Sequence, residues 1–272
     1  MQINKCIEII DLCLFLTKSK TLIIPDVHIG YEEALNKQGV LIPRTQFIEI
    51  MKNIEKVMKD TIKRFKAINK IVIIGDLKHE FGTISETEWR QTLKFLDFLD
   101  KYCKNIILLK GNHDTILGPI ADKRRLEVKT HIMIDDILLM HGHELPTNIL
   151  PEIKTIIIGH EHTAISLKHG VRIEKFKCFL KGKWNLEEEK RKLAGISKNK
   201  LTKLKDKLRR LKSKKLNLIV MPSFNPIIEG TDITKEQLLS PFLRKTKIKD
   251  FRVFIVGDKI YDFGKIRDLM RK

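Results

Sequence analysis

The chain has little of what would mark it as secreted, disulfide-built or membrane-bound. Four of its 272 residues are cysteine: Cys6, Cys13, Cys103 and Cys178. No two form a CxxC pair, so reduced thiols in a cytoplasmic protein are expected rather than a disulfide framework. No apolar run approaches the ~18–20 residues of a membrane helix. The run from Cys6 to Leu16 is broken by Glu8 and Asp11 and reads as strand material, not as a secretory signal. Negative charge is also scarce, with 34 Asp and Glu against 53 Lys and Arg, a net +19. That excess is local. Residues 181–215 hold 15 basic and 4 acidic side chains, so +11 of the total sits in about an eighth of the chain. Aromatic residues are sparse there too: Trp184 is the only one, so base stacking by this segment is not indicated.

What the chain does have is histidine placed with a rule. Five apolar runs each end in ligand-capable side chains. TLIIPDVH ends in Asp26 and His28, and KIVIIGDLKH in Asp76 and His79. NIILLKGNHD ends in Asn112, His113 and Asp114, DILLMHGH in His141 and His143, and TIIIGHEH in His160 and His162. Seven of the nine histidines lie in these five places.

Short β-branched runs alternate with amphipathic stretches, which predicts an α/β layered fold. Phe47, Ile50, Met51, Ile54, Val57, Met58 and Ile62 have helical spacing over 44–68. Residues 85–102 repeat the pattern, with Ser85 as N-cap and Glu88 three residues on. FRVFIVGDKIYDF predicts a hairpin at Gly257-Asp258. Ligands of such sheets gather at the carboxyl ends of strands, where all five motifs lie. Residues 184–214 break the rhythm and read as a basic helical hairpin inserted into a single domain of residues 1–272. Asn185 is placed as a cap, and Leu201, Leu204, Leu208 and Leu211 form a narrow stripe. Such a segment serves as a solvated face, a nucleic-acid contact or a protein-binding surface.

Imidazole, carboxylate and amide groups suit a borderline divalent ion such as Mn, Fe, Zn or Ni. Asp26, His28, Asp76, Asn112, His141, His160 and His162 are too many ligands for one tetrahedral ion. They suit two ions ~3.5–4 Å apart. One carboxylate should bridge, and Asp76 is well placed because Gly75 lets the backbone approach closely. In an extended chain His160 and His162 would point the same way, ~6.6 Å apart, one for each ion.

The order D-x-H, GD-x-x-H, GNHD, H-G-H, G-H-x-H resembles the calcineurin-like metallophosphoesterases over residues 20–180. PDVHIGYEEAL and MPSFNP are similar to segments of the archaeal phosphoesterases related to the SbcD nuclease and of compact bacterial phosphoesterases. The resemblance implies a sandwich of two mixed β-sheets flanked by helices, four layers in all. It implies that Asp26, His28 and His162 hold one metal, that Asn112, His141 and His160 hold the other, and that Asp76 bridges them. A metal-bridging hydroxide would attack phosphorus in line. His113 would protonate the leaving oxygen or stabilise charge, oriented by Asp114, with His143 behind the ligands. His79 stands where many members carry a second Asp; this favours a diester, whose scissile phosphate it would help handle. The two metals are expected to be Mn, with Fe, Ni or Zn as alternatives.

Three functions follow, in order of preference. The first is a two-metal phosphodiesterase acting on DNA or RNA. The second is a phosphodiesterase of small or cyclic nucleotides. The third is a non-enzymatic interaction module. No membrane is expected among the partners, and a protein partner or a second copy of the chain is left open.

Overall fold

The computed structural model describes residues 1–272 except 83, 115–116, 147–148, 186–214, 245 and 270–272, together with the side chain of His169. The first sheet has seven strands in chain order: β1 (Gln2–Asn4), β2 (Ile7–Ile10), β3 (Cys13–Leu16), β4 (Thr21–Ile24), β5 (Lys70–Ile74), β6 (Ile106–Leu109) and β7 (Glu127–Lys129). It is antiparallel from β1 to β4 and parallel from β4 to β7.

The second sheet contains β8 (His131–Ile134), β9 (Ile137–Met140), β10 (Thr155–Ile158), β11 (Thr163–His169), β12 (Arg172–Asn185), β13 (Lys215–Val220) and β14 (Thr231–Asp232). Their spatial order is β14-β11-β12-β13-β10-β9-β8, and β15 (Arg252–Val256) and β16 (Ile260–Lys265) branch from β12. Val256 pairs with Ile260, so the hairpin expected at Gly257-Asp258 is present.

The two-residue side-chain period of a strand explains the layers. Ile23, Val72, Ile74, Ile107 and Leu109 face Leu139, Ile157, Ile219 and Phe254 across the sandwich. Their neighbours Leu22, Ile24, Ile71, Ile73 and Leu108 face outward, onto helices. Strands covered on both sides read as continuous apolar runs, which is why TLII, IILL and TIII lack alternation. The outer helices are α1 (Tyr31–Lys37), α2 (Gln46–Phe65), α3 (Glu86–Asp100) and α4 (Gly118–Arg124). On α2 Phe47, Ile50, Ile54, Val57 and Met58 of the expected stripe are buried and Met51 is half-buried, but Ile62 is 37% exposed and Thr61 takes the buried place, as the three-four spacing from Ile54 and Val57 requires. Beyond the second sheet, Phe242, Phe251 and Ile266 pack with Trp184 and complete a fourth layer.

Trp184 and Asn185 correct the start expected for the insertion. Both belong to β12, paired with Leu216 and Lys215, and Trp184 is buried. Asn185 therefore ends a strand. The expected basic hairpin and its leucine stripe lie in 186–214, outside the described residues. The point where that segment leaves the sheet is described. Asn185 pairs with Lys215 at one end of β13, while Leu180 pairs with Val220 at the other. β13 runs parallel to β10 and β9, so 186–214 departs from the end opposite their carboxyl termini. The length of β13, ~17 Å at ~3.3 Å per residue, lies between.

Candidate metal centre

All five motifs follow the carboxyl ends of parallel strands. β4 delivers Asp26 and His28, β5 Asp76 and His79, and β6 Asn112, His113 and Asp114; β9 delivers His141 and His143, and β10 His160 and His162. The loops converge into two groups. In one, Asp26, His28, Asp76 and His162 bring ligand atoms within 4.8 Å of one another; in the other, Asp76, His141 and His160 do so. Asp76 is common to both. Its Oδ2 lies 3.7 Å from His28 Nε2 and 3.2 Å from His141 Nε2. Asn112 Oδ1 joins the second group at 3.0 Å from His141 Nε2, and His160 Nδ1 lies 3.2 Å from the same nitrogen. In the first group His28 Nε2 and His162 Nε2 face each other at 3.1 Å. The seven expected ligands are thus brought together.

The donor chemistry fits a pair of divalent ions. Ring nitrogens meet head-on in both groups, an arrangement in which each lone pair points at a common centre. Asp26 Oδ1 is buried and accepts no hydrogen bond, although His141 Nδ1 is 3.0 Å away. Burial holds the pKa of His28, His160 and His162 below the usual imidazole range, His160 at about 4, so these rings are neutral and ligand-competent. His141 is the exception. Burial pushes it down, but Asp26 and Asp76 outweigh that and raise it to about 10. Two buried carboxylates thus call for positive charge at this spot, which a dication would supply.

The backbone is bent to make this arrangement. His28, Asp76, His160 and His162 have φ of 47°, 33°, 63° and 50°, in the left-handed region that costs non-glycine residues energy. His160 and His162 are therefore not on an extended segment, as their spacing suggested. A tight turn, not strand alternation, sends them to different groups. Glycines leave room: a Cβ on Gly75, itself at φ 70°, would strike the His141 ring, and one on Gly111 would strike Asp76.

The remaining expected site residues lie alongside. His113 and His79 share a group with His28. His113 Nδ1 donates to the His79 carbonyl at 2.5 Å. The ring is therefore oriented by that carbonyl and not by Asp114, whose carboxylate accepts from Gly111 N at 3.0 Å and whose pKa burial raises to about 6. Asp114 shapes the GNHD turn. His143 sits beside His141 and His160, at ring distances of 5.1 and 6.0 Å.

Several supporting residues gave no functional signal in the sequence. Glu88 was expected to close a capping box. Ser85 does accept from Glu88 N at 3.1 Å, but the Glu88 carboxylate accepts from His79 N and Glu80 N at 2.8 and 3.0 Å. Buried Lys78 donates to the Glu80 carbonyl and, at 2.6 Å, to that of His113. MPSFNP cradles the first motif. Ser223 Oγ and Phe224 N donate to the Asp26 carbonyl, and Asn225 Nδ2 donates to those of Val27 and His28. Lys177 holds this cradle by its Ser223 and Asn225 carbonyls, and burial lowers its pKa to about 7. Glu88→Ala would strand two N–H groups, and is expected to lower the unfolding free energy by about 1–3 kcal/mol. The denaturant midpoint at constant slope reads this; an unchanged midpoint would show that water replaces the carboxylate.

Similarity to known proteins extends over most of the chain. Residues 19–250 match the family model of the calcineurin-like phosphoesterases. No curated protein sequence matches the chain. Among solved structures, the nuclease MPE of Pseudomonas putida is similar over 94% of this chain and 93% of its own, at 14% identity and a TM-score of 0.58, a likeness of fold. Wild-type Vps29 of Entamoeba histolytica, complexed with Zn²⁺, matches over 90% of this chain and 99% of its own, at 15% identity and a TM-score of 0.32.

Proposed function

Because the chain belongs to the calcineurin-like phosphoesterase family and is thus a metal-dependent phosphoesterase, we propose that it is a two-metal phosphodiesterase acting on nucleic acid. The carrying observation is Asp76 Oδ2, an oxygen that faces a ligand nitrogen of each group. Asp26, His28, Asp76 and His162 would hold one ion, and Asp76, Asn112, His141 and His160 the other. We take the ions to be Mn, with Fe, Ni or Zn as alternatives; mixed imidazole, carboxylate and amide donors admit all four. Two such ions supply Lewis-acid polarisation of the phosphoryl group and a nucleophile at neutral pH.

The chain's own residues do the rest. His28 presents Nε2 to its group, so its proton sits on Nδ1, 3.4 Å from His79 Nδ1. His79 then keeps its proton on Nε2, free to donate to a phosphoryl oxygen. His113, anchored through Nδ1 by the His79 carbonyl, has Nε2 left for the leaving oxygen.

The polymer reading draws on the GDLKH motif, the fold shared with a nuclease and the +11 segment. GDLKH and MPSFNP together support kinship with the archaeal SbcD-related phosphoesterases. We take residues 1–272 as one catalytic domain interrupted at 186–214. Among the described residues no helix is long and apolar enough to cross a membrane, and all four cysteines are free thiols. Both fit work in the cytoplasm.

The test is a screen of the purified protein with Mn²⁺ against a chromogenic diester, a phosphomonoester, single-stranded and duplex DNA, RNA and cyclic nucleotides. Polymer cleavage abolished by chelator is expected. Turnover of cyclic nucleotides alone would shift the function to small substrates, and inactivity on every diester would overturn it.

A second measurement concerns 186–214. Asn185 and Lys215 are paired neighbours, so a short Gly-Ser turn can join them without disturbing the sheet. This variant is expected to retain chromogenic diester turnover, because the site lies at the other end of β13. Its DNA affinity should fall. The slope of log affinity against log salt should become shallower by about 0.9 for each lost phosphate contact on duplex DNA. Unchanged affinity and slope would leave the segment without a nucleic-acid role.

A further inference from the structure

Between two of the metal ligands stands a carboxylate that is not itself a ligand. Glu161 separates His160 from His162, is fully buried, and joins none of the ligand groups. It turns instead to a segment 78 residues downstream. Leu239 N donates to both of its oxygens at 3.0 Å, and Ser240 N donates to Oε2 at 2.7 Å. A buried carboxylate is costly unless it is hydrogen-bonded, and these bonds fix where Glu161 points. Ser240, also fully buried, donates from Oγ to the Gly142 carbonyl at 2.8 Å. Gly142 lies between His141 and His143. The pair Glu161 and Ser240 therefore joins the turn after β10 to the turn after β9.

The turn after β10 needs such support. His160 and His162 hold φ of 63° and 50°, conformations that persist only where the surroundings over-determine them. Backbone contacts supply part of this. His160 N donates to Asp26 Oδ2 at 3.0 Å, Glu161 N to the Gly159 carbonyl at 2.7 Å, and Thr231 N to the His162 carbonyl at 3.0 Å. The Glu161 side chain adds a tie to a part of the fold away from the ligands. The helical turn Pro241–Arg244 follows Ser240 directly. Its Phe242 and Leu243 are buried in the core of the second sheet, Phe242 against Trp184, and Phe242 N donates to Ser240 Oγ at 3.3 Å. The brace is thus anchored through the fourth layer.

Resting on the two-metal reading above, we propose that Glu161 and Ser240 are positioning residues for the metal pair. They hold the His160–His162 turn against the His141–His143 turn, so that His160 faces the ion of His141 while His162 faces the ion of His28. The two histidines are two residues apart and belong to different groups. A turn free to relax toward ordinary φ would swing both rings at once, so losing the Glu161 brace should loosen both ions together. That separates a positioning residue from a ligand, whose loss empties one site first. Partners one step behind metal ligands are worth about 10- to 100-fold in metal affinity.

The experiment titrates the chelator-treated full chain with Mn²⁺. Calorimetry reads each site, the exchange-coupled EPR signal reads the paired ions, and the denaturant midpoint of the metal-free chain is measured beside them. Glu161→Leu fills the volume but accepts no hydrogen bond. It is expected to raise both dissociation constants about 10- to 100-fold and to weaken the coupled signal at fixed Mn²⁺. Glu161→Gln can keep an oxygen at the Oε2 position, where it accepts from both N–H groups, and is expected to bind both ions like the wild type. Wild-type affinity at both sites in Glu161→Leu, with only the midpoint lowered, would make the brace a support of the fold alone and overturn the proposal. Weakening confined to one site would also overturn it. So would a Glu161→Gln variant as weak as Glu161→Leu, since charge rather than hydrogen bonding would then act. If Glu161→Leu does not fold, Ser240→Ala decides. It keeps the N–H donated to Glu161, frees the Gly142 carbonyl, and should weaken the ion held by His141; unchanged binding there would overturn the proposal. A wild type that takes up one ion or none would overturn the two-metal reading and the positioning role with it.

Discussion

Replacing Asp76 with Asn is expected to abolish diester hydrolysis and to strip metal from the protein. The substitution is nearly isosteric. The Asp76 Oδ1 that accepts from His113 N at 2.9 Å has an amide oxygen as its counterpart. The NH₂ group must then occupy the Oδ2 position, 3.2 Å from His141 Nε2 and 3.7 Å from His28 Nε2. A donor with no negative charge replaces the Asp76 oxygen that, among the described residues, faces both groups. It can bridge nothing, and its hydrogens point at nitrogens that should be binding a cation. Lewis-acid activation is worth several kcal/mol, so turnover should fall on the order of a thousandfold or more. Elemental analysis, rate on a chromogenic diester and thermal unfolding should be measured together. A folded variant that keeps both its metal and its activity would remove Asp76 from the bridging position.

The parts of this architecture legible in the sequence are those encoded by local pattern. Runs such as KIVII and IILL can only be strands covered on both faces, and the α2 and α3 stripes repeat at helical spacing. α1 was not legible. Its seven residues carry no side-chain cap, and it is braced by tertiary contacts: Glu32 and Gln46 exchange hydrogen bonds, each side chain accepting from the other's backbone N–H, and Gln46 Nε2 reaches the His28 carbonyl. No pattern within YEEALNK announces a partner fourteen residues away.

The candidate site divides in the same manner. The ligands were legible because His, Asp and Asn at strand ends are chemically conspicuous. Backbone conformation at those positions was not, since an i, i+2 pair is compatible with both an extended chain and the left-handed turn that His160 and His162 adopt. The braces were invisible for a different reason. Glu88 satisfied a helix-capping pattern, and Lys177 and Lys78 were two of many lysines in a basic chain. Each acquires its role from loops far away in sequence, as when Lys177 grips the Ser223 and Asn225 carbonyls. Asp114 shows the converse: the resemblance implied that it orients His113, but the turn aims its carboxylate back at Gly111 N.

His113→Ala is expected to leave both metals in place and to slow turnover about 10²- to 10⁴-fold, the usual worth of a general acid. Asn112, its neighbour in GNHD, reaches His141 Nε2 at 3.0 Å, whereas His113 belongs to neither group that contains Asp76. His113 does share a cluster with His28 and His79, but that cluster has no carboxylate, and His28 Nε2 is already turned toward His162 and Asp76. Its Nδ1 is taken by the His79 carbonyl, so Nε2 alone can act. Elemental analysis of the variant tests the first half: loss of an ion would make His113 a ligand. The choice of leaving group tests the second. A nitrophenolate departs without needing a proton, while an alkoxide does not. If His113 protonates the leaving oxygen, the variant should be slowed far more on an alkyl diester than on its nitrophenyl counterpart. Equal slowing on both, with metals retained, would assign His113 to stabilising charge on the phosphoryl oxygens instead.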